Sequence, residues 1–379
     1  MIYRDFKGLR LSMLGFGAMR LPVVGGDETR IDESTAQRMV DNAILRGINY
    51  FDTAWGYHNG NSELFMGRAL SKYPRDSFYL ATKFPGYDLS NFGKVEEIFE
   101  KQLEKCQVDH FDFYLFHNVC ELNIDAYLDD GRYRTFSYLI EQKHAGRISH
   151  LGFSAHGNLD TMKRFLEAYG KDMEFCQIQL NYLDWDFQDA RGKVELLREY
   201  GIPVWVMEPL RGGKLVRLSD KNIARLRALR PEDSVPAWAF RFLQSLPEVT
   251  VILSGMSTEQ QLAENIDTFT KEKPLDQLEM NTLFDIAAEM TSRTSLPCTA
   301  CRYCTAHCPM ELDIPYLIEL YNEHCFTKDF AFIAPMALGA MPDEKKPSAC
   351  IGCRSCEAVC PQQIKIADMM EDFSARIGG

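Results

Sequence analysis

Four residues of different chemistry stand at the ends of three apolar runs. Tyr50-Phe51-Asp52-Thr53-Ala54-Trp55-Gly56-Tyr57 delivers a carboxylate, Asp52, and a phenol, Tyr57, across a small-residue turn. Phe78-Tyr79-Leu80-Ala81-Thr82-Lys83 ends in an ammonium, and Phe111-Asp112-Phe113-Tyr114-Leu115-Phe116-His117 ends in an imidazole. A β-prone apolar run carries polar groups to its own C-terminal edge when it is a buried strand, so the three runs bring these groups to one rim. A free phenol titrates near pH ~10, too high for an efficient proton donor. A neighbouring ammonium favours the phenolate, and a carboxylate keeps that ammonium charged. Tyr57 is therefore a candidate general acid tuned by Lys83 and Asp52, with His117 placed to orient a carbonyl oxygen. Any one of these alone would be an ordinary strand-end residue. Compatible groups at successive strand ends make a site.

The elements that must position them alternate between strand and helix signals, the pattern of a parallel sheet. Strands are expected near 13–18, 49–53, 78–83, 111–116, 150–154, 175–180, 203–207 and 249–253. Helices are expected near 33–46, 61–71, 93–106, 132–145, 159–169, 188–200, 234–245 and 258–267. That count closes an α/β fold of the (β/α)8 TIM-barrel type. Residues 2–12 alternate around Lys7-Gly8 as a hairpin. Asp32 or Ser34 can cap the first helix, Gly47 can end it, and Asn158 precedes the fifth. Beyond 267 the pattern stops, and 274–293 reads as a connecting helix with Leu275, Leu278, Leu283, Ile286 and Met290 on its apolar side. The expected domains are a barrel with its connecting helix over 1–295 and a second, smaller, mostly helical domain over 296–379.

That second domain holds nine of the twelve cysteines, eight of them in two tight clusters. Cys298-x2-Cys301-x2-Cys304-x3-Cys308-Pro309 recurs as Cys350-x2-Cys353-x2-Cys356-x3-Cys360-Pro361. Three thiolates two residues apart can grip three irons of a cubane, while the fourth, before proline, points away from it. Zinc sites use paired knuckles of four ligands, which this spacing fits poorly. The expected cofactors are two [4Fe-4S] clusters. The spacer Ile314-Pro315-Tyr316-Leu317-Ile318-Glu319-Leu320-Tyr321 is helical in pattern. Cys106, Cys120, Cys176 and Cys325 read as free buried thiols.

Phe51-Asp52-Thr53-Ala54 followed by Tyr57, Lys83 and His117 resembles the Asp-Tyr-Lys-His tetrad of the aldo-keto reductases. Leu14-Gly15-Phe16-Gly17, Gly152-Phe153-Ser154 and Gln179-Leu180-Asn181-Tyr182 extend the likeness over most of 1–270. The resemblance implies a nicotinamide cofactor, NAD or NADP, and a small-molecule carbonyl or alcohol substrate. It implies that Ser154, Gln179 and Asn181 bond the nicotinamide amide, and that the 2–12 hairpin closes the barrel bottom. It places the cofactor phosphates at Ser254, Gly255, Ser257 and Gln261, where helix N-terminal amides can receive them, and makes Glu264 and Asn265 the adenine-contacting pair. Two positions depart from the family. Residues 254–265 contain no Lys or Arg, so a weak preference for NADPH over NADH is expected. Met207 stands where many relatives stack a Tyr on the nicotinamide. Trp55 is a candidate wall of the substrate pocket, and His156 reads as a loop or rim histidine. The cysteine runs resemble those of bacterial two-cluster ferredoxins. That likeness implies one cluster on Cys298, Cys301, Cys304 and Cys360, and the other on Cys350, Cys353, Cys356 and Cys308.

A net charge of -12 argues against nucleic acid or an anionic membrane as partner. No apolar run approaches a membrane span, and the start lacks a signal-peptide core, so a cytoplasmic protein is expected. The expected function is an oxidoreductase exchanging hydride in the barrel and single electrons through the clusters, with a redox partner protein. Hydride carries two electrons and a cluster one, so a flavin would ease their coupling, but no stretch carries a flavin motif specific enough to name one. The alternatives are a barrel reductase with purely structural clusters, and an electron-transfer or docking subunit whose barrel does not catalyse.

Overall fold

The computed structural model describes residues 1–292, 295–327 and 331–378. It divides into two compact units, Met1–Phe284 and Asp285–Gly379.

The first unit opens with a hairpin, β1 (Tyr3–Phe6) and β2 (Leu9–Ser12), paired antiparallel with Phe6 opposite Leu9. Its turn needs two left-handed residues, supplied by Lys7 at φ 48° and Gly8 at φ 86°. Eight parallel strands follow and close into a barrel: β3 (Leu14–Gly17), β4 (Tyr50–Asp52), β5 (Tyr79–Phe84), β6 (Phe111–Val119), β7 (Ile148–Ala155), β8 (Cys176–Gln179), β9 (Val204–Met207) and β10 (Val249–Gly255). The principal helices around them are α1 (Glu33–Leu45), α2 (Asn61–Leu70), α3 (Val95–Cys106), α4 (Thr135–His144), α5 (Leu159–Tyr169), α6 (Ala190–Glu199), α7 (Val235–Gln244) and α8 (Glu259–Thr268). Asp32 caps α1, Asn158 caps α5, and Gly47 follows α1 at φ 92°.

Side chains alternate along a strand, and this period sorts the barrel interior from the helix-facing side. Tyr50, Phe113, Phe175, Trp205 and Val251 fill the lower interior with Phe6 of the hairpin, whose ring meets Trp205 edge-on at 5.0 Å. The hairpin thus plugs the barrel bottom. The next positions of the same parity, moving toward the C-terminal ends, are Asp52, Lys83, His117, Ser154, Gln177 and Gln179. Packed rings below and an open rim above make that rim the place where polar groups can be used.

Three expectations change. The helix expected over 132–145 is split, because Arg134 takes φ 52° between Asp130–Tyr133 and α4, and Asp130 accepts bonds from the Phe136 and Ser137 amides. A helix at Asp220–Leu229 and short turns at Ile124–Leu128 and Asp184–Phe187 carry no expectation from the sequence. The connecting helix is α9 (Gln277–Thr291); position 293 lies outside the described residues. Leu275 and Leu283 are buried, but Leu278 is 62% exposed, because Glu279 takes the inward position to bind Arg230 at 2.6 Å.

In the second unit α10 (Ile314–Thr327), α11 (Ile333–Gly339) and α12 (Ile366–Ile377) share a core of Leu317, Ile318, Ala337, Met370 and Phe373. Cys304 and Cys356 belong to that core, and Cys298, Cys308, Cys350 and Cys360 pack against it. No helix among the described residues is long and apolar enough to cross a membrane.

Candidate active site

At the rim, the Lys83 ammonium is fully buried and donates to Asp52 Oδ1 at 2.7 Å and to the Thr53 carbonyl at 2.8 Å. It also lies 5.1 Å from the centre of the Tyr57 ring, close enough for the two groups to influence each other's charge. Burial disfavours both charges, and the contact restores them: Lys83 ends above its ordinary range, held there by Asp52 and Tyr57. Burial also raises Asp52, with Lys83 opposing it. Tyr57 corrects an expectation. Burial raises its phenol, and Lys83 offsets only part of that, so the net shift is upward. Its hydroxyl is a neutral donor whose conjugate base has a cation waiting. His117 sits 6.3 Å from Tyr57 between ring centres, and burial, Lys83 and His156 hold it well below the usual histidine range. A neutral imidazole can donate one hydrogen bond without adding charge.

Several supports have no signal in the sequence. After Tyr57 the chain turns through left-handed His58, Asn59 and Gly60. His58 Nε2 accepts from the Leu21 amide at 3.2 Å, which leaves Nδ1 to donate to the Glu28 carbonyl at 2.8 Å. The Tyr57 turn is thereby tied to the loop after β3. Behind Lys83, buried Glu63 on α2 accepts from Thr82, Gln102 and Lys105 at 2.7, 2.7 and 2.5 Å. Gln102 in turn donates to the Lys83 carbonyl at 2.9 Å. The Lys105 ammonium lies 4.4 Å from the Trp55 ring, so Trp55 is braced from α3. Tyr87 meets His117 edge-on at 5.3 Å and adds a second aromatic wall.

The residues expected to touch a cofactor separate into three groups. Ser154 Oγ accepts from the Asn118 amide at 2.8 Å. Gln179 is buried with its Oε1 unpartnered, whereas Asn181 spends its amide on Asp184 and the Glu208 carbonyl and its oxygen on the Leu183 and Asp184 amides. At the end of β10, Asn265 donates to Ser254 Oγ at 3.1 Å, and Gln261 accepts from the Ser257 amide at 2.8 Å. Glu264 lies outward on α8, bonded to Gln260. Gly255 is needed for a close approach: a Cβ there would stand 2.8 Å from Cγ of Arg20. Ser257 Oγ donates to the Arg20 carbonyl at 2.9 Å. Arg20, 237 positions away in sequence, therefore lies against the segment that contains no Lys or Arg of its own. Met207 ends β9 half-buried, and His156 follows β7, its imidazole pushed down to about 3 by burial and Lys193.

In the second unit Cys308, Cys350, Cys353 and Cys356 line one pocket with Met310, Leu312 and Met370. Cys298 is raised by burial and by the nearby Cys301 and Cys360 thiols. Both fourth cysteines thus lie beside the other motif's triplet. No three His, Cys, Asp or Glu side chains among the described residues converge on a single-ion position. Thiols spread around a pocket suit a cubane, whose ligands stand further apart than those of one zinc ion. Cys106, Cys120 and Cys176 are buried, but Cys325 is only partly so.

A parallel eight-stranded barrel with a buried lysine–carboxylate pair beneath a phenol defines an α/β-barrel oxidoreductase scaffold. Residues 13–288 match the model of the Aldo/keto reductase family, and the chain belongs to that family. Residues 297–364 match a 4Fe-4S dicluster domain. Probable aldo-keto reductase 1 of Glycine max is 28% identical over 215 residues, covering 55% of this chain and 58% of its own. The chain therefore spans less than two thirds of that relative. The NADH-specific methylglyoxal reductase of Escherichia coli (strain K12) is 24% identical over 304 residues, 68% of this chain and 90% of that one. The holo form of aldo-keto reductase AKR11C1 from Bacillus halodurans superposes with a TM-score of 0.62 at 26% identity, covering 76% of this chain and 96% of that one.

Proposed function

We propose that the barrel binds NAD or NADP and exchanges hydride with a small carbonyl or alcohol, while the cysteine unit holds two [4Fe-4S] clusters that move single electrons. The observation that carries the barrel reading is the buried Lys83 ammonium, bonded to Asp52 and lying 5.1 Å from the Tyr57 ring, beside a neutral His117. A reduced nicotinamide bound there would supply hydride to a carbonyl carbon. Tyr57 then gives its proton to the carbonyl oxygen, and Lys83 stabilises the phenolate as it forms. Asp52 keeps Lys83 charged and in place. His117 donates to the same oxygen and orients it. In the reverse direction the Tyr57 phenolate accepts the alcohol proton. Gln179 and Ser154 would hold the nicotinamide amide. Ser254, Gly255, Ser257 and Gln261, with Arg20 beside them, would receive the phosphates, and Asn265 with Glu264 would lie under the adenine. Asn181, its amide already engaged, serves the turn instead.

The thiols fit the clusters as pairs of triplets completed by each other's fourth cysteine: Cys298, Cys301 and Cys304 with Cys360, and Cys350, Cys353 and Cys356 with Cys308. A second reading, in which the clusters are structural, is favoured by one observation: Cys304 and Cys356 belong to a hydrophobic core of this small unit, and Cys298, Cys308, Cys350 and Cys360 pack against it. Titrating anaerobic protein with NADH and then NADPH separates the readings. Quenched nucleotide fluorescence with bleaching of the cluster absorbance supports electron transfer. Carbonyl reduction with clusters that stay oxidised selects the structural role, and binding of neither nucleotide overturns the barrel reading.

A further inference from the structure

Beyond the tip of β8, the Asp184 carboxylate is completely buried and gathers three donors. Gln179 Nε2 reaches it at 2.9 Å, Asn181 Nδ2 at 2.6 Å, and Arg211 Nε at 2.9 and 3.0 Å to its two oxygens. Arg211, in the loop after β9, is 4% exposed. A carboxylate bonded to a guanidinium offers only acceptor lone pairs, so both amides must turn their NH2 groups toward it. Asn181 then uses its oxygen on two backbone amides of its own turn. Gln179 does not: its Oε1 is buried and unpartnered, on the interior side of β8. A buried acceptor without a donor is costly, and the geometry asks for a ligand N–H.

We propose that the Asp184–Arg211 pair is a positioning device that locks Gln179 as an acceptor, so that the site selects a nucleotide whose ring carries an amide N–H donor. This rests on the barrel binding a nicotinamide. The two residues would act through Gln179 without touching the ligand, so the test must separate orientation from stability. The probe is the 3-acetylpyridine analogue of NADH or NADPH, in which a methyl replaces the carboxamide NH2. Binding to the purified holoprotein is measured by fluorescence or calorimetry. Wild type should bind the natural dinucleotide at least about tenfold tighter than its analogue. Asp184→Asn gives Gln179 a donor at that position and frees its amide to turn, so the ratio should fall toward one. A merely structural Asp184 would weaken both ligands in parallel and leave the ratio unchanged, which overturns the proposal. Should Asp184→Asn not fold, Gln179→Leu replaces it: the ratio must again collapse, and a ratio that survives overturns the assignment of Gln179. Wild type that binds both dinucleotides alike sinks this inference alone. Wild type that binds neither sinks the nicotinamide reading with it.

Discussion

On the proposed mechanism Tyr57 would act as an acid because its hydroxyl stays protonated while a cation lies ready for the phenolate. Burial secures the first condition and Lys83 the second. Tyr57→Phe keeps the ring and its packing and removes only the proton. Carbonyl reduction should fall by at least about a hundredfold with nucleotide affinity nearly unchanged; near-wild-type turnover would remove Tyr57 from the mechanism. His156 makes a separate contribution that reads out in stability. Its folded value is about 3, set by burial and Lys193, against about 6.5 in an unfolded chain. Between those values the unfolded state holds a proton that the native state does not, so stability rises with pH there and is lost on acidification. From pH 7 to pH 5 this costs up to about 2 kcal/mol, and His156→Gln should flatten that part of the curve. Parallel denaturation midpoints for the two proteins across this window would discard the assignment.

Two element contacts set the site's geometry. Helices α2 and α3 touch at Gly67, where a Cβ would stand 2.7 Å from the Cys106 carbonyl carbon, a backbone atom that cannot step aside. That contact brings Glu63 to Lys105 behind Lys83. Alanine favours a helix over glycine by about 1 kcal/mol, but forcing two backbones apart typically costs about 1–3 kcal/mol. Gly67→Ala should therefore lower the melting temperature, and an unchanged or higher value would show that the helices can separate freely. The second contact joins the loop after β3 to the end of β10, where Arg20 lies against Gly255 and Ser257. If Arg20 meets a cofactor phosphate, Arg20→Ala should weaken dinucleotide binding roughly 10- to 100-fold, the worth of a charge-assisted hydrogen bond. Equal weakening of NADH and NADPH assigns it to the pyrophosphate, and selective weakening of NADPH to the 2′-phosphate. Unchanged constants for both exclude it.

At the scale of the whole molecule, the chain joins a barrel with its own packed interior to a small unit whose core includes cysteine thiols. Cys308 shares a pocket with Cys350, Cys353 and Cys356 although Pro309 and Cys304 are its sequence neighbours. Anaerobic protein should contain about eight irons, and Cys308→Ser should damage the cluster of the second triplet more than that of the first. Iron and sulfide analysis with paramagnetic resonance of the variant checks both statements. Loss of the Cys298, Cys301 and Cys304 cluster instead would mean local ligation.

Strand period and strand-end chemistry are local properties, which is why Asp52, Tyr57, Lys83 and His117 could be read from short windows, and why eight strands and eight main helices could be counted. The cysteine spacing is equally local, since it repeats within each run. The Arg134 break was not legible, because Asp130 caps α4 through bonds that depend on a left-handed residue between them. Leu278 was misplaced because helical spacing cannot tell that a buried ion pair with Arg230 turns Glu279 inward. Arg20, His58 and Arg211 were missed for the same reason: each acts on residues brought near only when the barrel closes. Even the direction of the Tyr57 shift belonged to the fold. The sequence by itself determined which charges could meet the phenol, while the depth of burial, which tertiary packing alone sets, decided how their competition ends.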